Sequence, residues 1–284
     1  MALGTRRYAY HVVEGWGHGP GCPQLGLISA VGVDSRDHVY LFNRLPQPAV
    51  LVFDREGHFL RSWGEDLFRQ PHGLWISPDD RVFVADSGDH TVRICTTDGQ
   101  VRQTLGTAGQ AGAPGLPFNQ PTWAGLSPSG ETFVSDGYGQ YRVHRFAPDG
   151  GLRRSWGEQG DGPGQFALPH SLVVDRRGRV LVADRENHRV QIFDGDGTFL
   201  EQWTDLLQPM DLFIDADDHI HVAEAQQRIS VYSLDGELLS RWGEKGTAPG
   251  QFSDSPHGLC VDSHGDLYVC EVISQGRLQK FARQ

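Results

Sequence analysis

The chain has 284 residues, 38% of them apolar and 21% charged, values that suit a water-soluble globular protein with a sizeable core. A formal charge of −11 repels phosphate backbones and anionic lipid, which counts against nucleic acid and membrane surfaces as partners. The 36 glycines and 16 prolines call for many tight turns and favour short strands over long helices.

Residues Met1 to Glu14 contain no apolar core of signal-peptide length, and no stretch approaches the roughly 20 apolar residues of a membrane span. A cytoplasmic protein, acting as a monomer, is the expectation. Cys22, Cys95, Cys260 and Cys270 form no CxxC pair, so free thiols are the default, with Cys260 and Cys270 able to face each other across one hairpin.

From residue 28 onward one unit recurs with a period in the forties. A short apolar run ends at a polar turn residue (Asp34, Ser77, Ser127, Asp175, Asp215, Asp262). A second run follows: VYLFN (39–43), VFVAD (82–86), TFVSD (132–136), LVAD (181–184), IHVAE (220–224) and LYVCE (267–271). Third runs such as AVLVFD and RVQIFDGD lead to a fourth that typically ends in Trp-Gly, as in FLRSWG (59–64), LRRSWG (152–157) and LLSRWG (238–243). Four strands per unit make a propeller blade. The sixth unit stops after its third strand, and Arg7–Gly17 (RYAYHVVEGWG) matches the missing fourth. The sequence therefore predicts an all-β, six-bladed propeller, one domain over 1–284, with its last blade closed by the N-terminal strand.

Alignment on the turn residue places Ser29, His72, Thr122, His170, Met210 and His257 at one position of successive blades. Histidine occupies every second blade, about 120° apart around a six-fold ring whose first strands line the axis. Three imidazoles so spaced suit a catalytic divalent metal, zinc above all, which takes three protein ligands and keeps a fourth position open. Iron, manganese and cobalt also accept imidazole. The alternative is that Pro-His is a tolerated strand start whose imidazole makes a structural hydrogen bond.

Second strands run antiparallel to first strands, so residues just past their ends crowd the same mouth: Arg44, Tyr138 and Arg185. Two guanidiniums and a phenol beside a cation suit a substrate carboxylate and a proton acceptor. Arg185, in DRENHR, could instead pair with a neighbouring acid. The acids that close the second strands (Asp86, Asp136, Asp184, Glu224, Glu271) recur too regularly to mark one site and read as acceptors of backbone hydrogen bonds.

The repeat resembles the NHL repeat, most clearly in PGQFALPHSLVVDRRGRVLVADRENHRVQIFDGDG (163–197). Within that class QPHGL (70–74), LPHSL (168–172), SPHGL (255–259), FNR (42–44), the Ser-Asp-Gly-Tyr segment at 135–138 and VADREN (182–187) resemble peptidyl-α-hydroxyglycine α-amidating lyase. The resemblance implies a zinc held by His72, His170 and His257, Tyr138 as catalytic base, and Arg44 and Arg185 as carboxylate-binding groups. It also implies a structural calcium beside the third histidine, where this chain has Gly258. That departure counts against calcium there, although Asp211 offers a carboxylate on the fifth blade. The short loop LPQPAV after Arg44 implies a pocket that need not be shaped for a peptide. The expected activity is cleavage of an N-acyl-α-hydroxyglycine, or a related carbinolamide, to an amide and glyoxylate, on a small-molecule or peptide carboxylate substrate. A metal-dependent propeller hydrolase or lactonase and a non-enzymatic binding scaffold are the alternatives.

Overall fold

A computed structural model describes residues 3–19, 21–44, 47, 49–272 and 276–284, with the side chain of Arg6 left aside. It contains six four-stranded antiparallel sheets among the described residues, and no α-helix. The fold is a six-bladed β-propeller. Blade 1 begins at Ile28–Val33 and blades 2 to 6 at Pro71–Ile76, Trp123–Leu126, Pro169–Val174, Pro209–Ile214 and Pro256–Val261. In chain order the predicted second strands match Val39–Asn43, Val82–Asp86, Thr132–Asp136, Val180–Asp184, His219–Glu224 and Leu267–Glu271. The chain forms two compact units, Met1–Leu67 with Met210–Gln284, and Phe68–Pro209.

Burial explains the sequence pattern. Second and third strands such as Val39–Asn43, Ala49–Phe53 and Arg189–Phe193 are buried along their whole length, which requires near-continuous apolar runs. Fourth strands carry more exposed and half-buried residues, and those of blades 1, 3, 4 and 5 end in the buried Trp63, Trp156, Trp203 and Trp242. The polar turn residues cap each first hairpin: Asp175 Oδ1 accepts the backbone N–H groups of Arg177 and Arg179 at 2.9 and 2.8 Å, and Ser127 Oγ accepts that of Glu131 at 3.1 Å.

The last blade is completed as the sequence predicts. Tyr10–Val13 pairs antiparallel with Arg277–Arg283, from Tyr10 opposite Arg283 to Val13 opposite Lys280. Leu3 bridges Tyr10, and Arg283 Nε donates to the carbonyl of Arg7 at 2.9 Å. Cys260 opposes Tyr268 while Cys270 opposes Gly258, so the two are not cross-strand partners, and all four cysteines are free thiols. Burial pushes the thiols of Cys260 and Cys270 well above the usual range. No helix among the described residues is long and apolar enough to cross a membrane.

Four of the second-strand acids accept backbone N–H groups as recurrence implied, Asp136 from Asn119 at 3.0 Å among them, whereas Glu224 is met by the side chains of Arg228 and Ser230. Asp86 accepts from the backbone N–H groups of Arg69 and Gln70 at 2.7 and 2.9 Å, Asp184 from Ala167 and Leu168 at 2.9 and 3.1 Å, and Glu271 from Asp254 at 2.8 Å. Each carboxylate thus pins the segment that enters its blade a few residues before His72, His170 or His257.

Candidate metal and carboxylate site

The three histidines share a local device. Pro71 opposes Asp86 and Gly73 opposes Ala85, so His72 is the extra residue of a β-bulge. The register slips in the same way around His170, between Pro169 and Ser171, and around His257, between Pro256 and Gly258. A bulge takes one residue out of the ladder and re-aims its side chain.

The unit Phe68–Pro209 holds His72, His170, Tyr138 and Arg185. His72 and His170 are each 1% exposed, with ring centroids 4.8 Å apart. His72 Nδ1 lies 2.8 Å from the carbonyl oxygen of Thr122. A carbonyl can only accept, so the ring proton of neutral His72 sits on Nδ1 and Nε2 presents its lone pair. The Tyr138 hydroxyl lies 2.9 Å from that Nε2 and 3.3 Å from His170 Nε2, where its O–H donates to an imidazole lone pair. The Arg185 guanidinium stands 5.9 Å from the Tyr138 ring centroid, in cation–π range, and its Nε donates to Glu186 Oε1 at 2.8 Å. Arg185 thus pairs with the adjacent acid, the second of its two readings, and also faces the tyrosine.

Tyr138 reaches the histidines because of its neighbours. A Cβ on Gly137 would lie 2.1 Å from the Pro169 carbonyl oxygen, and one on Gly139 would lie 2.2 Å from the Asn119 side chain. Only glycine allows the loop to press against both. The spacing of DGYG is thus a steric requirement, a signal that was present in the sequence but could not be assigned to a particular contact.

The unit formed by Met1–Leu67 and Met210–Gln284 holds His257 and Arg44. His257, 6% exposed, repeats the wiring of His72: its Nδ1 donates to the carbonyl of Ser29 at 2.7 Å, which leaves Nε2 as the lone-pair end. Arg44 N donates to the carbonyl of Leu27 at 2.7 Å, as Arg185 N does to that of Leu168 at 2.9 Å, so the arginines hold equivalent places in their blades. Tyr138 is one residue further along its blade than that place, which Gly137 occupies. Leu45, Pro46 and Pro48 of the loop after Arg44 lie outside the described residues. Both oxygens of buried Asp211 accept backbone N–H groups, from Leu212 at 2.8 Å and Leu259 at 3.0 Å.

The donor set fits a metal that prefers imidazole. Two histidines have Nδ1 committed to a carbonyl, as in sites where the remaining ring nitrogen ligates zinc, and the ligand nitrogens of His72 and His170 lie within 4.8 Å of one another.

The chain matches the family model "NHL repeat" at residues 68–95 and 166–193. NHL repeat-containing protein 3 of Homo sapiens is 34% identical, over 70% of this chain and 61% of that protein. Peptidyl-alpha-hydroxyglycine alpha-amidating lyase 1 of Drosophila melanogaster is 31% identical, over 92% of this chain and 58% of that protein. This chain thus spans less than two thirds of the length of either relative. A gluconolactonase of Xanthomonas campestris superposes with a TM-score of 0.68 at 12% identity, over 100% of this chain and 98% of that one, a likeness of fold alone. The chain is an NHL-repeat β-propeller that resembles the peptidyl-α-hydroxyglycine α-amidating lyases.

Proposed function

We propose that the protein is a metal-dependent lyase that splits an N-acyl-α-hydroxyglycine, or a related carbinolamide, into an amide and glyoxylate. The observation that carries this reading is the Tyr138 hydroxyl within hydrogen-bond reach of Nε2 of both His72 and His170. His72, His170 and His257 would hold the metal, zinc by preference, with iron, manganese or cobalt as substitutes. The bound ion would supply charge stabilisation for substrate oxygens. Support for His257 as the third ligand comes from its bulge and its Nδ1 hydrogen bond, which match those of His72.

Tyr138, as a phenolate once it has given up its own proton beside the cation that the histidines would hold, would take the proton of the carbinol hydroxyl on its phenolic oxygen. The electron pair of that O–H bond becomes the C=O of glyoxylate as the C–N bond breaks, and the proton returns to the departing amide nitrogen. Atoms and electrons balance without a redox cofactor. Arg185, held by Glu186 beside the tyrosine ring, binds and orients the carboxylate together with Arg44. The substrate is a small-molecule or peptide carboxylate, and the setting we propose is the cytoplasm, for a monomer free of nucleic acid and membrane. Calcium has no role in this scheme.

Metal analysis of protein purified without a histidine tag tests the site. About one equivalent of zinc or iron is expected, falling to background in a His72→Ala/His170→Ala variant. Metal-free wild-type protein would favour a binding scaffold, a reading consistent with the repeat-only name of one relative. Incubation with α-hydroxyhippurate should then release glyoxylate. A metal-loaded protein that yields no glyoxylate from any hydroxyglycine amide would remove the lyase reaction.

A further inference from the structure

Among the six aligned positions Thr122 is neither a metal-ligand candidate nor an ordinary core residue. It is fully buried, and so is Ser135 beside it. Its carbonyl accepts the Nδ1 proton of His72 at 2.8 Å. Its hydroxyl oxygen has three neighbours: the Pro169 carbonyl at 3.0 Å, the Ser135 carbonyl at 3.1 Å and the Ser135 hydroxyl at 2.8 Å.

One proton cannot serve all three, and hydrogen-bond accounting selects an arrangement. The Ser135 carbonyl already accepts the backbone N–H of Thr122 at 2.8 Å. The arrangement that leaves fewest buried groups unmet has the Ser135 hydroxyl donating to Thr122 Oγ1, and the Thr122 hydroxyl donating to the Pro169 carbonyl. Pro169 immediately precedes His170, and its carbonyl is the atom on which Gly137 of the Tyr138 loop rests, where a Cβ would come within 2.1 Å.

Resting on the lyase reading for its functional meaning, we infer that Thr122 is a positioning residue that registers three functional side chains against one another. Its carbonyl sets the tautomer of His72. Its hydroxyl holds the carbonyl that fixes both the entry to His170 and the seat of the Tyr138 loop. A threonine achieves this through two different groups, one on the main chain and one on the side chain, and the side-chain half is open to substitution. Valine keeps the shape and removes the donor; serine keeps the donor and removes a methyl group.

The test compares Thr122→Val, Thr122→Ser and Ser135→Ala with wild type. The first readout is the imidazole tautomer of His72, from ¹⁵N NMR of metal-free protein, with the signal assigned by its loss in His72→Gln. Wild type should hold the proton on Nδ1, and so should all three variants, because each keeps the main-chain carbonyl of residue 122; a wild-type proton on Nε2 would overturn the main-chain half of the inference. The second readout is zinc affinity by competition with a chelator, which Thr122→Val should weaken by about 10-fold or more, as loss of groups that orient metal ligands does. Thr122→Ser should restore affinity to within about 3-fold, and Ser135→Ala should fall between the two, because it loosens the hydroxyl without deleting it. Thr122→Val with an unchanged zinc affinity would overturn the side-chain half of the inference. So would a Thr122→Ser variant as impaired as Thr122→Val, since that would assign the effect to packing. Wild-type protein that binds zinc but yields no glyoxylate would sink the lyase reading and leave these comparisons to decide Thr122 separately. If Thr122→Val fails to fold, the zinc affinity of Ser135→Ala decides, with a wild-type value counting against the inference.

Discussion

After its second strand, blade 4 turns through the 3-10 segment Arg185–Asn187, whereas blade 3 passes the same point through Gly137, Tyr138 and Gly139. In blade 4 polar side chains hold the turn. Asn187 Nδ2 donates to Asp184 Oδ2 at 2.7 Å and to the Gly160 carbonyl at 2.9 Å, while Arg189 donates to Asp184 at 2.9 Å and to the carbonyls of Asp161, Gly162 and Gln165. In blade 3 the corresponding Asp136 faces His144 and Gln140, and the loop combines close approach of two glycines to the Pro169 carbonyl and to Asn119 with one main-chain hydrogen bond, from the Gly139 N–H to the Asn119 carbonyl at 2.9 Å. Blade 4 presents Arg185 from a hydrogen-bonded turn. Blade 3 lays Tyr138 across the imidazoles by steric fit, a means that tolerates less substitution at the loop itself.

The largest expected effect attacks the polar side of this contrast. Arg189→Met leaves the fully buried Asp184 without its guanidinium and should destabilise the protein by about 3–5 kcal/mol in urea unfolding. A loss below about 1 kcal/mol would mean that the remaining donors, the backbone of Ala167 and Leu168 and the side chains of Asn187 and Gln191, satisfy Asp184 without the guanidinium. The steric side is probed by Gly137→Ala. Displacement of the loop from Pro169 should lower glyoxylate release by about 100-fold while zinc remains bound. Retained turnover would show that the loop has room the close approach denies. The smallest effect is expected at Glu186→Gln, which releases Arg185 from a partly exposed pair and should raise KM by about two- to five-fold with little change in kcat. A loss as large as that of Gly137→Ala would make the ion pair, and not the turn, the element that presents Arg185.

The propeller was legible because its strands are buried on both faces in the second and third positions and on one face in the fourth, so each blade writes the same hydropathy rhythm. The second strands coincide with the structure to within one residue, and Tyr10–Val13 lies inside the segment assigned to close the ring. His72, His170 and His257 could be aligned because every blade fixes the same turn residue five places after the aligned position. The bulges that re-aim them were not visible, since an inserted residue leaves the alternation of a six-residue strand nearly unchanged. Nor was Thr122, whose partners His72 and Pro169 are 50 and 47 residues away. Periodicity reports which face a residue takes, and not which carbonyl its hydroxyl meets. Gly137 lies in the Ser-Asp-Gly-Tyr segment and Gly139 directly follows it, yet the need for glycine at both arises from atoms of Pro169 and Asn119 in other segments.

The pairing of Tyr10 with Arg283 also bears on how the chain is made. At synthesis rates of 5–20 residues per second, about 270 intervening residues keep the first strand waiting for its partner for roughly 15–50 s. Throughout that interval both sides of a sheet-forming segment stand open to other chains. On the ribosome the final blade is therefore the last to form, and whatever shields Tyr10–Val13 until then protects the whole molecule from intermolecular pairing.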